Sequence, residues 1–293
     1  MNPITSSTTK STTQVRREVA AYIALAYALC IAVVVALPHA NINMMLAVLV
    51  PTVTVAILTF TITPRGGRRA LWGSFGLNRA AVRTWPSALL IPMVLCAAAY
   101  ATAVAVGAGR LQVDASDGDL TWWTNLPISL AMGTVFILGE EIGWRGYLLP
   151  RMQQLLPDRR RAALATGFVH GCFHLPLILI GTTYDNEVPG WVAAPAAVAL
   201  ITAGGVFYAW IWDRSRSVWP VAIAHNTVNT VFDLGAAAVV ATGGANIAYV
   251  AGETGVATLA VVVVTAVVLW RYARVWHAPA PQAERRPAPV AAA

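Results

Sequence analysis

Apolar runs, each close to the length of a bilayer crossing, recur along the whole chain and are separated by short polar connections. A membrane helix needs about 20 mainly apolar residues. Eight stretches meet that measure: residues 19–37, 42–63, 86–106, 123–148, 162–181, 191–212, 217–240 and 254–271. Lipid offers no partner to an open backbone, so each stretch is expected to be helical. The fourth and seventh contain ionisable side chains, which lower their hydropathy without barring insertion. The expected fold class is therefore all-α, a polytopic transmembrane helix bundle of about eight spans. Between the second and third stretches, the connection from Arg65 to Trp85 is expected to hold a short interfacial helix after Gly66-Gly67.

The polar connections divide by charge. Lys10, Arg16 and Arg17 precede the first stretch, and Arg65, Arg68, Arg69, Arg79 and Arg83 follow the second. Arg151 and Arg159 to Arg161 follow the fourth, Arg214 and Arg216 the sixth, and Arg271, Arg274, Arg285 and Arg286 the last. The alternate connections are acidic, with Asp114, Asp117 and Asp119, then Asp185 and Glu187, then Glu253; only Arg110 breaks the alternation. Basic residues accumulate on the cytoplasmic side, so both termini are expected there and the number of spans is expected to be even. Residues 1–18 read as a cytoplasmic tail, 19–275 as the membrane core and 276–293 as a disordered Pro/Ala-rich tail. The first apolar run, Val19 to Leu37, exceeds the 7–15 residues of a signal-peptide core, which favours a retained helix over a cleaved signal.

Composition adds exclusions. The 293 residues are 57% hydrophobic and 11% charged, against roughly 25% charged in soluble domains, too few to cover a water-exposed surface. The net charge of +7 comes from arginines clustered between apolar runs, without the interleaved aromatic residues of a single-strand groove, so nucleic acid is not an expected partner. Cys30, Cys96 and Cys172 lie in apolar runs without paired spacing and read as buried thiols. The Ala, Val and Arg content suggests a GC-rich bacterial genome, hence a multi-pass protein of a bacterial plasma membrane surrounded by lipid.

Ionisable groups inside a bilayer helix are expensive, roughly 2.5–3.5 kcal/mol each on insertion scales, and signal function by default. Three stretches concentrate them: Gly139-Glu140-Glu141-Ile142-Gly143-Trp144-Arg145-Gly146, His170-Gly171-Cys172-Phe173-His174-Leu175-Pro176 and His225-Asn226-Thr227-Val228-Asn229. Counted inward from Arg161, Arg216 and Arg151, the residues His174, His225 and Glu140 lie at depths of ~20, ~14 and ~17 Å at the rise of an α-helix. The three depths agree within about two turns. Residues four apart share a face, which pairs Glu141 with Arg145, His170 with His174, and His225 with Asn229. Glu140 points away from the first pair and is expected to be an unneutralised carboxylate suited to general-base work. The imidazoles can bind, polarise or protonate what it activates, and Asn229 can donate to an oxyanion. Plainer readings stand beside these: the two glutamates as a solvated helix end, Glu141 with Arg145 as a structural ion pair, and His170 as a polar link between helices.

These residues carry a resemblance. Glu140-Glu141-x-x-x-Arg145-Gly146, His174-Leu175-Pro176 and His225-x-x-x-Asn229 resemble, in order and on separate stretches, the three motifs of the CPBP family of CAAX-prenyl-protease and bacteriocin-processing intramembrane proteins. The resemblance spans Gly139 to Asn229. It implies an intramembrane endopeptidase in which Glu140 activates water with His174, His225 and Asn229 stabilise the oxyanion, and Glu141 and Arg145 shape the site. One position departs from the pattern: His170 stands where the family's second motif usually has an aromatic residue. An added imidazole would favour a divalent metal such as zinc, held by Glu140, His174 and His225, or would retune a proton network. No His-Glu-x-x-His motif occurs in the chain.

The substrate classes implied are lipidated CAAX-type peptides and leader peptides of membrane-associated proteins. Two other functions use the same polar cluster. A non-catalytic immunity or scaffold protein would need no general base. A proton-coupled transporter usually shows paired repeats, whereas the polar residues here fall in the second half of the chain.

Overall fold

The computed structural model describes residues 10–37, 42–112, 121–181, 188–244 and 246–277. The acidic connections at 114–119 and 185–187 and most of the C-terminal tail lie outside the described residues.

All eight apolar stretches run as helix. α1 (Thr12–Ala36) and α2 (Ile42–Thr61) are followed by the short α3 (Arg65–Gly73) and by α4 (Trp85–Ala105). α5 (Thr121–Glu141) passes through a π-helical segment, Ile142–Leu148, into α6 (Leu149–Leu155). α7 (Arg159–Phe173) breaks at His174 and continues as α8 (Leu175–Leu179). α9 (Gly190–Ser215), α10 (Val218–Ala238) and α11 (Val256–Tyr272) complete the bundle. A two-stranded antiparallel ribbon, β1 (Gly109–Leu111) with β2 (Val239–Ala241), ties the end of α4 to the end of α10. The sequence pattern did not foretell it.

Among the described residues, six segments are long and apolar enough to cross a membrane: Thr12–Ala36, Ile42–Thr61, Val82–Ala105, Leu126–Leu155, Arg159–Leu179 and Gly190–Ser215. Together they make the chain a multi-pass membrane protein. α11 is apolar but shorter, and α10, which carries His225, Asn226, Asn229 and Asp233, is not among the six. Large apolar side chains stand on the outside of the bundle, among them Val35, Phe60, Leu90, Val94, Met132 and Val264. That inversion suits a surface dissolved in lipid rather than water.

Local chemistry sets the helix ends. α1 begins at Thr12, within the stretch read as a tail, because Ser11 caps it by accepting from Gln14 N. Glu18 on its first turns is buried against Arg151 of α6, with Oε2 2.8 Å from Nε. Asp158 caps α7, and the side chain and backbone of Arg160 hold its carboxyl below the usual range. α3 begins at Arg65 itself, ahead of the two glycines that were expected to precede it.

The helices that carry the site meet through small residues. A Cβ on Gly205 of α9 would stand 2.8 Å from Gly167 Cα of α7, and one on Gly167 would stand 2.8 Å from Thr202 O. Gly171, one turn on, faces the Val198 backbone as closely, with 3.0 Å to Cα. In lipid, helix association rests on such close backbone approach, and here it fixes the helix bearing His170. Gly167→Leu is expected to separate α7 from α9 and destabilise the fold by about 1–3 kcal/mol or more. Thermal unfolding in detergent tests this, and an unchanged midpoint would refute the packing role.

Candidate functional site

The π segment follows directly on Glu140 and Glu141. Its extra residue per turn re-aims the side chains, a feature often found at functional sites. Gly143 lies where a Cβ would meet Pro51 of α2 and the hydroxyl of Tyr22 of α1, so both helices press closely on this segment. The two adjacent carboxylates then face different neighbours. Glu140 reaches His170 on α7, with Oε2 2.8 Å from Nε2. Glu141 turns to α10, where its Oε1 lies 2.8 Å from His225 Nδ1. Arg145 Nη1 bonds both oxygens of Glu141 at 2.9 and 3.2 Å. Glu140, Glu141, Arg145 and His170 are all buried.

The anticipated Glu141–Arg145 pair therefore forms. Glu140 is not left without a partner, however, as the spacing alone suggested. His170 joins it to Arg145, whose Nη1 lies 3.3 Å from His170 Nδ1. Trp144 stacks on the same imidazole, with ring centroids 4.7 Å apart. Arg145 also lies over the ring of Tyr208, 4.7 Å from its centroid, a contact on α9 that no motif announced.

Hydrogen-bond partners fix the tautomers. A guanidinium only donates, so Nδ1 of His170 accepts from Arg145 and its Nε2–H donates to Glu140. His174 sits at the break between α7 and α8. Pro176 has no N–H to continue the helix, and the backbone N–H of His174 turns to Gly171 O at 3.1 Å. His170 O is thereby released to accept from His174 Nδ1–H at 3.1 Å. The lone pair of His174 is left on Nε2. His225 Nδ1–H donates to Glu141, which leaves its Nε2 uncommitted as well.

One cavity of about 370 Å³ gathers Glu140, His170, His174, His225 and Asn229. The rest of its lining is mostly apolar, contributed by α2, α4, α5, α9 and α11. Asn226, beside His225, also lines it and bonds Leu130 O of α5 at 3.0 Å.

Ligand atoms of Glu140, His170 and His174 lie within 4.8 Å of one another, a cluster that could coordinate a metal ion. His225, which the sequence placed in such a set, is not in this cluster among the described residues. The distances suit a metal, but the protons do not. With Nδ1 of His170 facing Arg145, the proton sits on Nε2, the nitrogen nearest Glu140. Ligation through that nitrogen would move the proton to Nδ1 and set two donors against each other.

Removing Arg145 tests the buried network. Arg145→Ala leaves Glu141, at 0% side-chain exposure, with His225 as its remaining partner and is expected to cost about 3–5 kcal/mol. The measurement is folded yield and thermal midpoint in detergent. Glu141→Gln combined with Arg145→Met should recover part of the loss, since it removes both buried charges, and no recovery would place the cost elsewhere.

A family model described as Type II CAAX prenyl endopeptidase Rce1-like matches residues 121–231. No curated protein and no solved structure matches the chain. The matched segment runs from α5 into α10 and contains all of the site residues named above. Through that segment, which is less than half of the chain, the protein is similar to Rce1-like CAAX-protease-type membrane proteins.

Proposed function

We propose that Glu140 is the general base of a glutamate-dependent intramembrane endopeptidase. The observation that carries this reading is the carboxylate at the wall of an apolar cavity, bonded to His170 through Oε2, with His174 and His225, each committed through Nδ1, lining the same cavity. Glu140 takes one proton from a water molecule, and His174 Nε2 accepts the other hydrogen and so aims the oxygen. The oxygen adds to the peptide carbonyl carbon as the carbonyl becomes an oxyanion. Glu141, bonded at Nδ1, offsets the charge of a doubly protonated His225, which presents Nε2–H to that oxyanion together with the Asn229 amide. The C–N bond breaks as the proton held by Glu140 passes to the leaving amine. His170 and Arg145 do not touch the reacting atoms; they position Glu140 and Glu141.

A zinc ion in such a cluster would supply Lewis-acid activation of water. The tautomer of His170 instead favours activation by Glu140 without a metal. The apolar lining favours a peptide with a lipidated or strongly apolar segment, of the CAAX or leader-peptide class. The same reading takes α10 and α11 as further crossings, eight in all, with both termini on the side of the basic connections, in a bacterial plasma membrane.

Cleavage of labelled prenylated and unprenylated membrane peptides by purified protein tests the reading. Glu140→Gln keeps an acceptor for His170 Nε2–H but lacks basicity, and should lower the rate by about 10²–10⁴ with the thermal midpoint retained. His174→Ala and His225→Ala should likewise abolish cleavage, and Asn229→Ala should lower kcat by about 10²–10³. An active His225→Ala protein would remove that residue from the mechanism. No cleavage of any peptide by folded wild type would turn the site towards peptide binding without catalysis. Activity should survive chelation by phenanthroline; stoichiometric zinc whose removal abolishes cleavage would overturn the tautomer assigned to His170.

Pro176→Ala addresses the helix break separately. The restored N–H at position 176 would bond Cys172 O and let α7 run on, so that His174 N bonds His170 O, displaces the Nδ1–H contact and turns the imidazole. The expected outcome is a folded protein with kcat reduced by up to about 10²-fold; an unchanged kcat would show that His174 is oriented by other means.

A further inference from the structure

The connection between α2 and α4 is the most basic surface of the protein without acidic company. Arg65, Arg68, Arg69, Arg79 and Arg83 fall within it, and no Asp or Glu occurs anywhere from residue 19 to residue 113. Arg145, Arg151, Arg160 and Arg216 each sit against a carboxylate. By contrast, the side chains of Arg65, Arg69, Arg79 and Arg83 are exposed and have no partner among the described residues. Arg68 folds back on Phe60 O and Thr63 O.

Arg65 and Arg69 stand four apart on α3, where like charges oppose each other. Gly66 and Gly67 weaken the same nine-residue helix further. An anionic surface against this face would offset both. Because the connection joins the ends of two membrane-spanning helices, it lies at the membrane–water interface. Trp72 and Trp85, with indole N–H groups bonded to Thr59 Oγ1 and Ala80 O, suit that level.

The inner side of the same segment is wired to the site. Phe75 is fully buried, and its ring lies 3.1 Å from where a Cβ on Gly146 of the π segment would be. Phe75 O accepts from Val218 N at 3.1 Å, and Leu77 O accepts from Trp219 Nε1 at 2.8 Å. Ser217, the N-cap of α10, donates its hydroxyl to Gly76 O at 3.0 Å and Arg79 O at 2.6 Å. Gly76 itself has φ +66°, and a Cβ there would collide with Arg216 O, so the segment can lie this close only with glycine at that turn. It thus touches the π segment bearing Arg145 and caps the helix bearing His225 and Asn229.

We propose that residues 65–85 form a docking surface for anionic phospholipid headgroups, and that headgroups held there brace the π segment and the start of α10. Docking stands independently of the proposed function; only its consequence for the site rests on that reading.

The test uses the full chain in nanodiscs of phosphatidylcholine, with and without phosphatidylglycerol. Lipids retained are counted by native mass spectrometry, and amide exchange at Val218 and Trp219 is followed in the same discs. Each arginine near the surface contributes on the order of fivefold to headgroup affinity. Wild type is expected to retain phosphatidylglycerol in preference to phosphatidylcholine and to exchange those two amides more slowly when phosphatidylglycerol is present. A variant with Arg65→Lys, Arg69→Lys, Arg79→Lys and Arg83→Lys should behave like wild type, and the four-fold Arg→Gln counterpart should lose both effects. If that counterpart does not reconstitute, Arg65→Gln and Arg83→Gln taken singly should each weaken the preference. A preference undiminished by loss of the arginines, or absent from wild type, overturns the proposal, as does exchange indifferent to lipid. No readout involves peptide cleavage, so failure here leaves the endopeptidase reading untouched, and failure of that reading leaves this result interpretable.

Discussion

Two adjacent carboxylates, Glu140 and Glu141, lie buried in a bundle otherwise built from apolar residues, and the architecture around them is the set of partners that makes this tolerable. A buried charge must be paired and hydrogen-bonded. Successive residues on a helix point about 100° apart, so two such groups cannot share one partner helix. The bundle supplies α7 for the first and α10 for the second, with Arg145 from the following turn between them. The close glycine crossings of α7 on α9 and the pressure of α1 and α2 on the π segment follow from the need to bring these partners within hydrogen-bond reach.

His170 is the joint of this network. It donates to one glutamate's side chain and accepts from the arginine that neutralises the other, so the two carboxylates form one unit rather than two sites. A purely aromatic ring at this position would keep the stacking on Trp144 but would neither donate nor accept. The plainer reading of His170, a polar link between helices, therefore describes what it does structurally, while its proton also decides how readily a metal could enter.

Much of this was legible in the chain because bilayer chemistry is strict. Apolar length gave all eight helices, and the cost of charge in lipid singled out Glu140, His174 and His225, which line one cavity. The i, i+4 rule gave the Glu141–Arg145 pair. Other features were hidden for physical reasons. Spacing within one helix says nothing about which neighbour a side chain meets, so Glu140 read as unpartnered. A π segment has no hydropathy signature, and Tyr208 sits in an apolar run where nothing distinguishes it from packing. The contact of Glu18 with Arg151 joins residues far apart in sequence across an interface that periodicity cannot reveal.

The three motifs also gain a division of labour that their letters conceal. In His174-Leu175-Pro176 the proline marks the break: it has no N–H for Cys172 O, and at this break the backbone N–H of His174 bonds Gly171 O rather than His170 O. That carbonyl, freed from the helix ladder, accepts from the imidazole and leaves the lone pair on Nε2. On α10 a carboxylate takes the place of the carbonyl, and Glu141 holds Nδ1–H of His225. Two histidines on different helices are thus presented through the same nitrogen by unlike devices. The acceptor is a neutral carbonyl for His174 and a carboxylate for His225. In the proposed mechanism one cavity would in this way hold both an acceptor for water and a donor for an oxyanion, although the side chains are chemically identical.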